Sequence, residues 1–437
     1  MRIISINLAI FLFSHLLVFG QPIQDRKLLA FQFVAAQNYL PTSYPDRIIM
    51  NPGSDAERSA AITWRTDDQT PEGVLELQPA PAGPVDKALS RVIRAKSTLV
   101  KYEYPDEPTI SAMQHTCLLQ NLNPGTKYMY RVGSGNFWSE WFEFSIDGNR
   151  NNKFSFIYFG DPQNDIRSQW SRVLRSAYRQ NPESAFMLYA GDLINRAGRE
   201  TEWQEWFEAG SFIYATVPQL MTPGNHDYHR DQVLDSHWKY QFNLPDNGPE
   251  GLKHTCYFID YKNLRLISID SAADSELRDA SGTALEKQKA WLDSILTMNT
   301  REWTILTTHL PFYSPKESRD NDHLRQAFQP IIEKHGVDMV LSGHDHSYGR
   351  GQATDNPAAK NPIVYVVSVS GPKMYEVGDK EWMKVKGSNI QLFHEISIDN
   401  NLLTFKAFTA DGRLFDQFVL KKKKNGISRL MEMKNPK

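Results

Sequence analysis

Four short peptides carry side chains whose types and spacing suit metal chemistry: Gly160-Asp161-Pro162-Gln163, Gly191-Asp192, Gly224-Asn225-His226-Asp227 and Gly343-His344-Asp345-His346. The carboxylates of Asp161 and Asp192 have two oxygens each, and such a group can bridge two cations held a few ångströms apart. Asn225 adds a neutral carbonyl oxygen. His344 and His346, one residue apart on an extended turn, can reach two different metals, and His309 closes the apolar run 304–308 in the same manner. The result is an oxygen and nitrogen donor set suited to a pair of divalent ions, the kind of centre that activates water against phosphate. Cys117 and Cys256 are the only cysteines and lie away from these motifs, so thiolates take no part. A single Asp after Gly is usually a turn. Five such placements in order, all at strand ends, are more than turns.

Each motif needs a rigid element to deliver it. Apolar runs at 154–159, 185–190, 219–222, 304–308 and 337–341 read as strands ending on a motif, and a glycine directly after a strand lets the backbone turn sharply. Helical patterns at 165–178, 200–207, 284–296 and 323–334 alternate with them; Trp203 and Trp206 share one side of their helix and read as core. Further strands are expected at 264–269, 363–369, 392–398 and 402–408. This order predicts an α/β domain over 149–424 with two largely buried sheets flanked by helices. Residues 22–148 have another texture. The runs 60–64, 74–77 and 128–132 alternate, divided by Asn51-Pro52-Gly53, Pro81-Ala82-Gly83-Pro84 and Asn123-Pro124-Gly125, which predicts an all-β sandwich. The segment 118–128 resembles the end of a fibronectin type III-like module, with a Leu and a Tyr bracketing a tight turn.

Composition bounds the rest. A chain of 437 residues with 41% apolar and 12% aromatic residues is long enough for two packed domains. A net charge of −2 does not make a nucleic-acid-binding surface, and none is expected. Residues 1–21 combine Arg2, an apolar stretch to Phe19 and Gly20-Gln21, which reads as a cleaved signal peptide and predicts a secreted or periplasmic protein without stable membrane insertion. The two cysteines are expected as buried free thiols in different domains. The lysines 421–424 and the tail 425–437 read as a solvated end.

The ordered motifs, with Thr308-His309-Leu310-Pro311-Phe312-Tyr313-Ser314, His344 to Arg350 and the preceding sandwich, resemble the calcineurin-type metallophosphoesterases, and within them the purple acid phosphatases. The resemblance implies that Asp161, Asp192 and His346 bind one metal, and that Asp192, Asn225, His309 and His344 bind the second. It implies that His226 contacts the phosphate and protonates the leaving oxygen, with Asp227 fixing its ring by a hydrogen bond. Tyr348 and Arg350 are expected as support behind the ligands.

Three departures qualify this. The metal-binding Tyr of purple acid phosphatases falls at Asn195, and the His of other family members falls at Gln163. Either Gln163 supplies an oxygen to the first metal, or Asn195 does, or water fills the place; Gln163 is the favoured reading. Without a phenolate, Mn²⁺, Zn²⁺ or Fe²⁺ fits better than Fe³⁺. The His-His pair of plant-type enzymes is absent as well, and Lys316, Arg319 and His323 either line the leaving-group side or are solvated loop charges. The expected activity is hydrolysis of a small-molecule phosphate monoester by metal-activated water. The rival readings are a phosphodiesterase or nucleotide-pyrophosphate hydrolase and, remotely, a non-catalytic exported binding protein.

Overall fold

The computed structural model describes residues 38–433, except 54, 105–107, 150, 232, 274–281, 354–362 and 424–425. The expected signal peptide and the final residues of the tail lie outside the described residues.

Nine strands build the N-terminal β region: β1 (Asp46–Pro52), β2 (Ala60–Asp67), β3 (Val74–Pro79), β4 (Arg91–Arg94), β5 (Lys96–Tyr102), β6 (Ile110–Leu119), β7 (Lys127–Ser134), β8 (Phe137–Trp138) and β9 (Phe142–Ser145). One sheet has the order β1-β2-β6-β5; the other runs β4-β3-β7-β8, with β9 also paired to β7. Their inner faces share a core containing Ile62, Trp64, Leu75, Tyr130 and Val132. At the turn between β6 and β7 the Tyr128 hydroxyl accepts from the Asn123 N–H at 2.9 Å, pinning the corner that the Leu-to-Tyr segment predicts.

Strand β2 is buried along nearly its whole length, so the alternation read at 60–64 does not mark an exposed face. On its second face Arg65 reaches Glu200 of α2 (Glu200–Gly210), while Arg47 of the neighbouring β1 donates to the Gln241 amide oxygen of α4 (Ser236–Gln241) at 3.1 Å. Arg47 on β1 and Arg65 on β2 both bond Glu200, the latter at 3.2 Å, and Arg65 also pairs with Asp46 at 2.6 Å. His237 lies between Glu200 (2.7 Å) and Asp235 (2.9 Å). Burial opposes the charge on Glu200, yet Arg47, His237 and Arg65 together hold its carboxyl below the usual range. Asp235 also accepts from the Trp203 indole at 2.9 Å and the Gly198 N–H, so the network reaches the 195–198 loop.

The α/β region follows: β10 (Lys153–Phe159), α1 (Ser171–Gln180), β11 (Met187–Tyr189), then α2, α3 (Phe212–Thr216), β12 (Gln219–Met221) and α4. Next come β13 (Tyr257–Tyr261), β14 (Leu264–Ser268), α5 (Thr283–Thr297), β15 (Trp303–Thr308), α6 (Asp322–His335), β16 (Met339–Ser342), β17 (Tyr348–Ala353), β18 (Ile363–Val367) and β19 (Met383–Gly387). Strands β20 (Leu392–Asp399), β21 (Leu402–Thr409), β22 (Leu414–Lys422) and β23 (Ser428–Glu432) finish it. Two seven-stranded sheets result, β12-β11-β10-β20-β21-β22-β23 and β13-β14-β15-β16-β18-β17-β19.

Successive side chains of a strand point to opposite faces, and that sorts the packing. Leu266 and Ile305 join the core shared with Phe156, Ile396 and Phe405 of the other sheet. Their neighbours Ile267 and Leu306 pack outward with Leu292 of α5 and Phe328 of α6. Trp203 and Trp206 are fully buried in the shared core, as their helical spacing predicts. The C-terminal segment corrects the expectation of a solvated end: β23 pairs with β22, and Lys422 is buried with its ammonium 2.6 Å from Asp338. An ion partner at each end made a sequence that looks like tail into sheet.

Candidate metal centre

Strands β10, β11 and β12 are parallel, and so are β14, β15, β16 and β18 in the facing sheet. Loops leaving the carboxyl ends of parallel strands share one edge, where α/β folds place their ligands. Here the two edges meet. Asp161 follows β10, Asp192 follows β11, Asn225 follows β12, His309 follows β15 and His344 follows β16. The His309 Nδ1–H donates to the Ala190 carbonyl at 2.7 Å, and the His344 N–H donates to Asp161 Oδ1 at 2.7 Å, each bond crossing between sheets.

The motif glycines serve close approach more than turning. Only Gly191 (φ 95°) has a positive φ among Gly160, Gly191, Gly224 and Gly343. A Cβ at Gly224 would lie 2.2 Å from Asp192 Oδ1, and one at Gly343 would lie 2.1 Å from Asp161 Oδ1. Both carboxylates rest directly on backbone where a side chain cannot fit. The left-handed strain falls instead on Asp192 (φ 51°), His344 (φ 70°) and His346 (φ 45°). Such values are costly for residues with a Cβ and cluster at functional sites.

The donor atoms converge in two groups. Asp192, His309 and His344 place one ligand atom each within 4.8 Å of one another, and Asp161, Asp192 and His346 do the same, with Asp192 common to both. His309 Nε2 lies 3.1 Å from Asn225 Oδ1, 3.1 Å from His344 Nδ1 and 3.3 Å from Asp192 Oδ2. His346 donates from Nδ1 to the Lys373 carbonyl at 3.0 Å, which leaves Nε2 facing Asp161 Oδ2 at 3.4 Å. Asp161 Oδ2 and Asp192 Oδ2 are buried and accept no hydrogen bond. Buried acceptors with nothing to accept are costly, and two cations between these atoms would remove that cost. The residues fit a dinuclear centre.

Electrostatics agree. Burial pushes the Asp161 carboxyl up to about 7 against the pull of His309. Burial would raise Asp192 also, but His309, His226 and His344 hold it well below the ordinary range. Burial disfavours charge on His309, yet Asp192 and Asp161 lift it to about 9. The three shifts share one cause, carboxylates and imidazoles crowded together away from water.

Other candidates take different places. The His226 ring donates from Nδ1 to the Asn195 carbonyl at 2.7 Å, not to Asp227 as expected. Asp227 instead accepts from the backbone N–H groups of Gly224 (2.7 Å), Asp192 (2.9 Å) and Leu193 (3.2 Å), clamping the Asp192 turn. Its position beside a tight turn favours such local backbone bonds over a reach to the ring. Gln163 is buried, and its side-chain oxygen accepts from the Lys373 ammonium at 3.0 Å, so a lysine stands where a cation was expected. Asn195 contributes its backbone carbonyl to His226 and its N–H to Glu202 at 2.8 Å. Asp345 belongs to neither donor group and bonds Ser314 (2.5 Å) and Arg319 instead. Tyr348 and Arg350 both bond Asp416, at 2.7 and 2.6 Å, behind the His-x-His turn. Sequence reasoning missed Lys373, although Ser370-Gly371-Pro372 after an apolar run follows the same strand-then-glycine grammar as the other motifs.

Comparison with known proteins fits this geometry. The family model for calcineurin-like phosphoesterases matches residues 154–348, and that for the N-terminal domain of purple acid phosphatases matches residues 45–146. The chain is 27% identical to purple acid phosphatase 1 of Ipomoea batatas, over 78% of this chain and 72% of that one. It is 22% identical to a protein of Arabidopsis thaliana named "Probable inactive purple acid phosphatase 1", over 79% of this chain and 63% of that one. Its fold matches a purple acid phosphatase structure from yellow lupin (Lupinus luteus) with a TM-score of 0.71 at 16% identity, covering 88% of this chain and 75% of that one. The chain belongs to the calcineurin-like phosphoesterases of the purple acid phosphatase branch, a family of metal-dependent phosphoester hydrolases with a dinuclear metal site.

Proposed function

We propose that this chain hydrolyses phosphate monoesters, with Asp161, Asp192 and His346 holding one divalent ion and Asp192, Asn225, His309 and His344 holding the other. The observation that carries this is Asp192, which is common to both donor groups and whose Oδ2 is buried without a hydrogen bond. Bound there, two divalent ions lower the pKa of water and neutralise phosphoryl oxygens. The remaining work falls to side chains. His226 keeps Nδ1–H on the Asn195 carbonyl, so Nε2 is the atom that faces the departing oxygen, and it is the imidazolium form that gives the proton there. Asp227 fixes the Asp192 turn and Gly224 through three backbone bonds, holding a ligand and the neighbour of His226 in register.

The reading includes export, supported by the apolar N-terminal run; no helix among the described residues is long and apolar enough to cross a membrane. Edman sequencing of secreted protein starting near Gln21 tests it. With Asn195 in place of a tyrosine, the ions are Mn²⁺, Zn²⁺ or Fe²⁺, and the loaded protein lacks a visible charge-transfer band. A purple product refutes that part. The main test compares p-nitrophenyl phosphate with bis-p-nitrophenyl phosphate after reconstitution with each metal, using Asp192→Asn and EDTA as controls. Monoester turnover lost in both controls is expected. Preference for the diester overturns the substrate class, and turnover that survives both controls overturns the metal centre.

A further inference from the structure

Resting on the phosphoesterase reading above, one wall of the metal centre carries more positive charge than the phosphoryl group alone needs. Tyr375 stands at its middle. Its ring meets His346 edge-on with centroids 4.8 Å apart, and its N–H donates to the His346 carbonyl at 2.9 Å, so the ring is fixed to a proposed metal ligand. The Lys316 ammonium lies 4.5 Å from the ring centroid and the Lys373 ammonium lies 5.7 Å from it. Lys373 comes from the loop after β18, and Lys316 from the loop after β15.

The charges in this wall are not balanced. Arg319 is neutralised by the buried Asp345, which also accepts from Ser314. The Lys316 charge also reaches Asp345, which is already engaged by Arg319 and Ser314. Lys373 donates to the neutral oxygen of Gln163, 3.0 Å away, and its charge reaches the Asp161 carboxylate without an ion pair among the described residues. Among the described residues neither lysine forms an ion pair with a carboxylate, and both are half-buried and reachable by solvent. Two unpaired ammonium groups held against one aromatic ring beside a cation site repel each other and the metal. A pair kept in that arrangement fits an anion between or across them.

We infer that the substrate bears a second anionic group on its leaving portion, a carboxylate or a phosphate, which is received by Lys316 and Lys373 around Tyr375 while the phosphoryl group meets the metals. Tyr375 acts as the spacer that keeps both ammonium groups in place through cation–π contact. The leaving portion is thus small and acidic, not a neutral alcohol.

The test uses the metal-loaded protein and three aryl phosphate monoesters: phenyl phosphate, 4-carboxyphenyl phosphate and 1,4-phenylene bisphosphate. The expected result is a kcat/KM for one or both acidic esters at least about tenfold above that for phenyl phosphate, with the two arms separating carboxylate from phosphate. Lys316→Ala lowers that ratio about tenfold, and Lys316→Glu inverts it. Metal content and thermal midpoint are measured on each variant to show that fold and centre persist. Turnover of all three esters with a ratio that neither variant changes overturns this inference and leaves the phosphoesterase reading standing. No turnover of any ester by a fully loaded protein overturns both.

Discussion

Gly224→Ala isolates the claim that the motif glycines exist for close approach. The new Cβ would sit 2.2 Å from Asp192 Oδ1 and 2.3 Å from Asp192 N, whereas ordinary contact begins at 3.4 Å. The carboxylate must therefore retreat by about 1.2 Å, a displacement that costs about 10²-fold in rate when it befalls a reacting geometry. Retreat is not easy, because the Asp192 N–H is bound to Asp227 and Asp192 Oδ1 accepts from the His226 N–H at 2.7 Å. The overlap should cost about 1–3 kcal/mol of stability, as for an overpacked core. Because Asp192 belongs to both donor groups, both metal positions suffer together. The assay is metal per chain by mass spectrometry after desalting, with p-nitrophenyl phosphate turnover and a thermal melt on the same sample. Gly83→Ala is the control, since nothing lies within 4 Å of a Cβ there. A Gly224→Ala protein that keeps two metals and turnover within about threefold of the parent refutes the reasoning.

Other perturbations probe separate links. His226→Ala should lower kcat by about 10²- to 10⁴-fold with metal content unchanged; loss of metal instead would show that the ring supports the centre rather than the leaving group. His394 is buried as a neutral ring, bonded to the Tyr158 carbonyl and the Ser368 hydroxyl at 3.1 Å each, and burial pushes it down to about 4. The unfolded chain takes up this proton below about 6.5, so the contribution is full above that pH and is lost as pH falls toward 4, by about 3 kcal/mol in all. Urea midpoints at pH 7, 5.5 and 4.5 should show a shallower decline in His394→Leu than in the parent, and equal slopes would refute the assignment. Glu200→Ala leaves Arg47 and Arg65 buried with less counter-charge and should cost about 3–5 kcal/mol; a urea midpoint close to the parent's would refute it.

The architecture was legible where the periodicity had one cause. The strand expected at 304–308 is β15, the helix at 284–296 is α5, and the strand at 154–159 is β10, each within a residue or two at its ends. Legibility failed where partners from distant sequence decide. Strand β2 looks half-exposed in sequence because its outer face is capped by Glu200, far along the chain. Strand β23 is short and polar, and only pairing with β22 and the ion pairs of Arg350 with Glu432 and Lys422 with Asp338 make it sheet. In the site, the side chains were nameable from motif order, but their second partners were not. The carbonyls of Ala190, Asn195 and Lys373 that orient three imidazoles carry no signal in residue type.

The ion network between Arg47, Arg65, Glu200, His237 and Asp235 also bears on inheritance. Its members are divided between the sandwich and the α/β region, and its far end secures the loop whose Asn195 carbonyl aims His226. The two halves are consequently poor candidates for shuffling. A sandwich grafted from a relative without arginines at both positions would strand a buried carboxylate, and the fault would reach the loop that holds the His226 ring. Recombination that keeps this enzyme working must cut elsewhere, so the halves should descend as one unit.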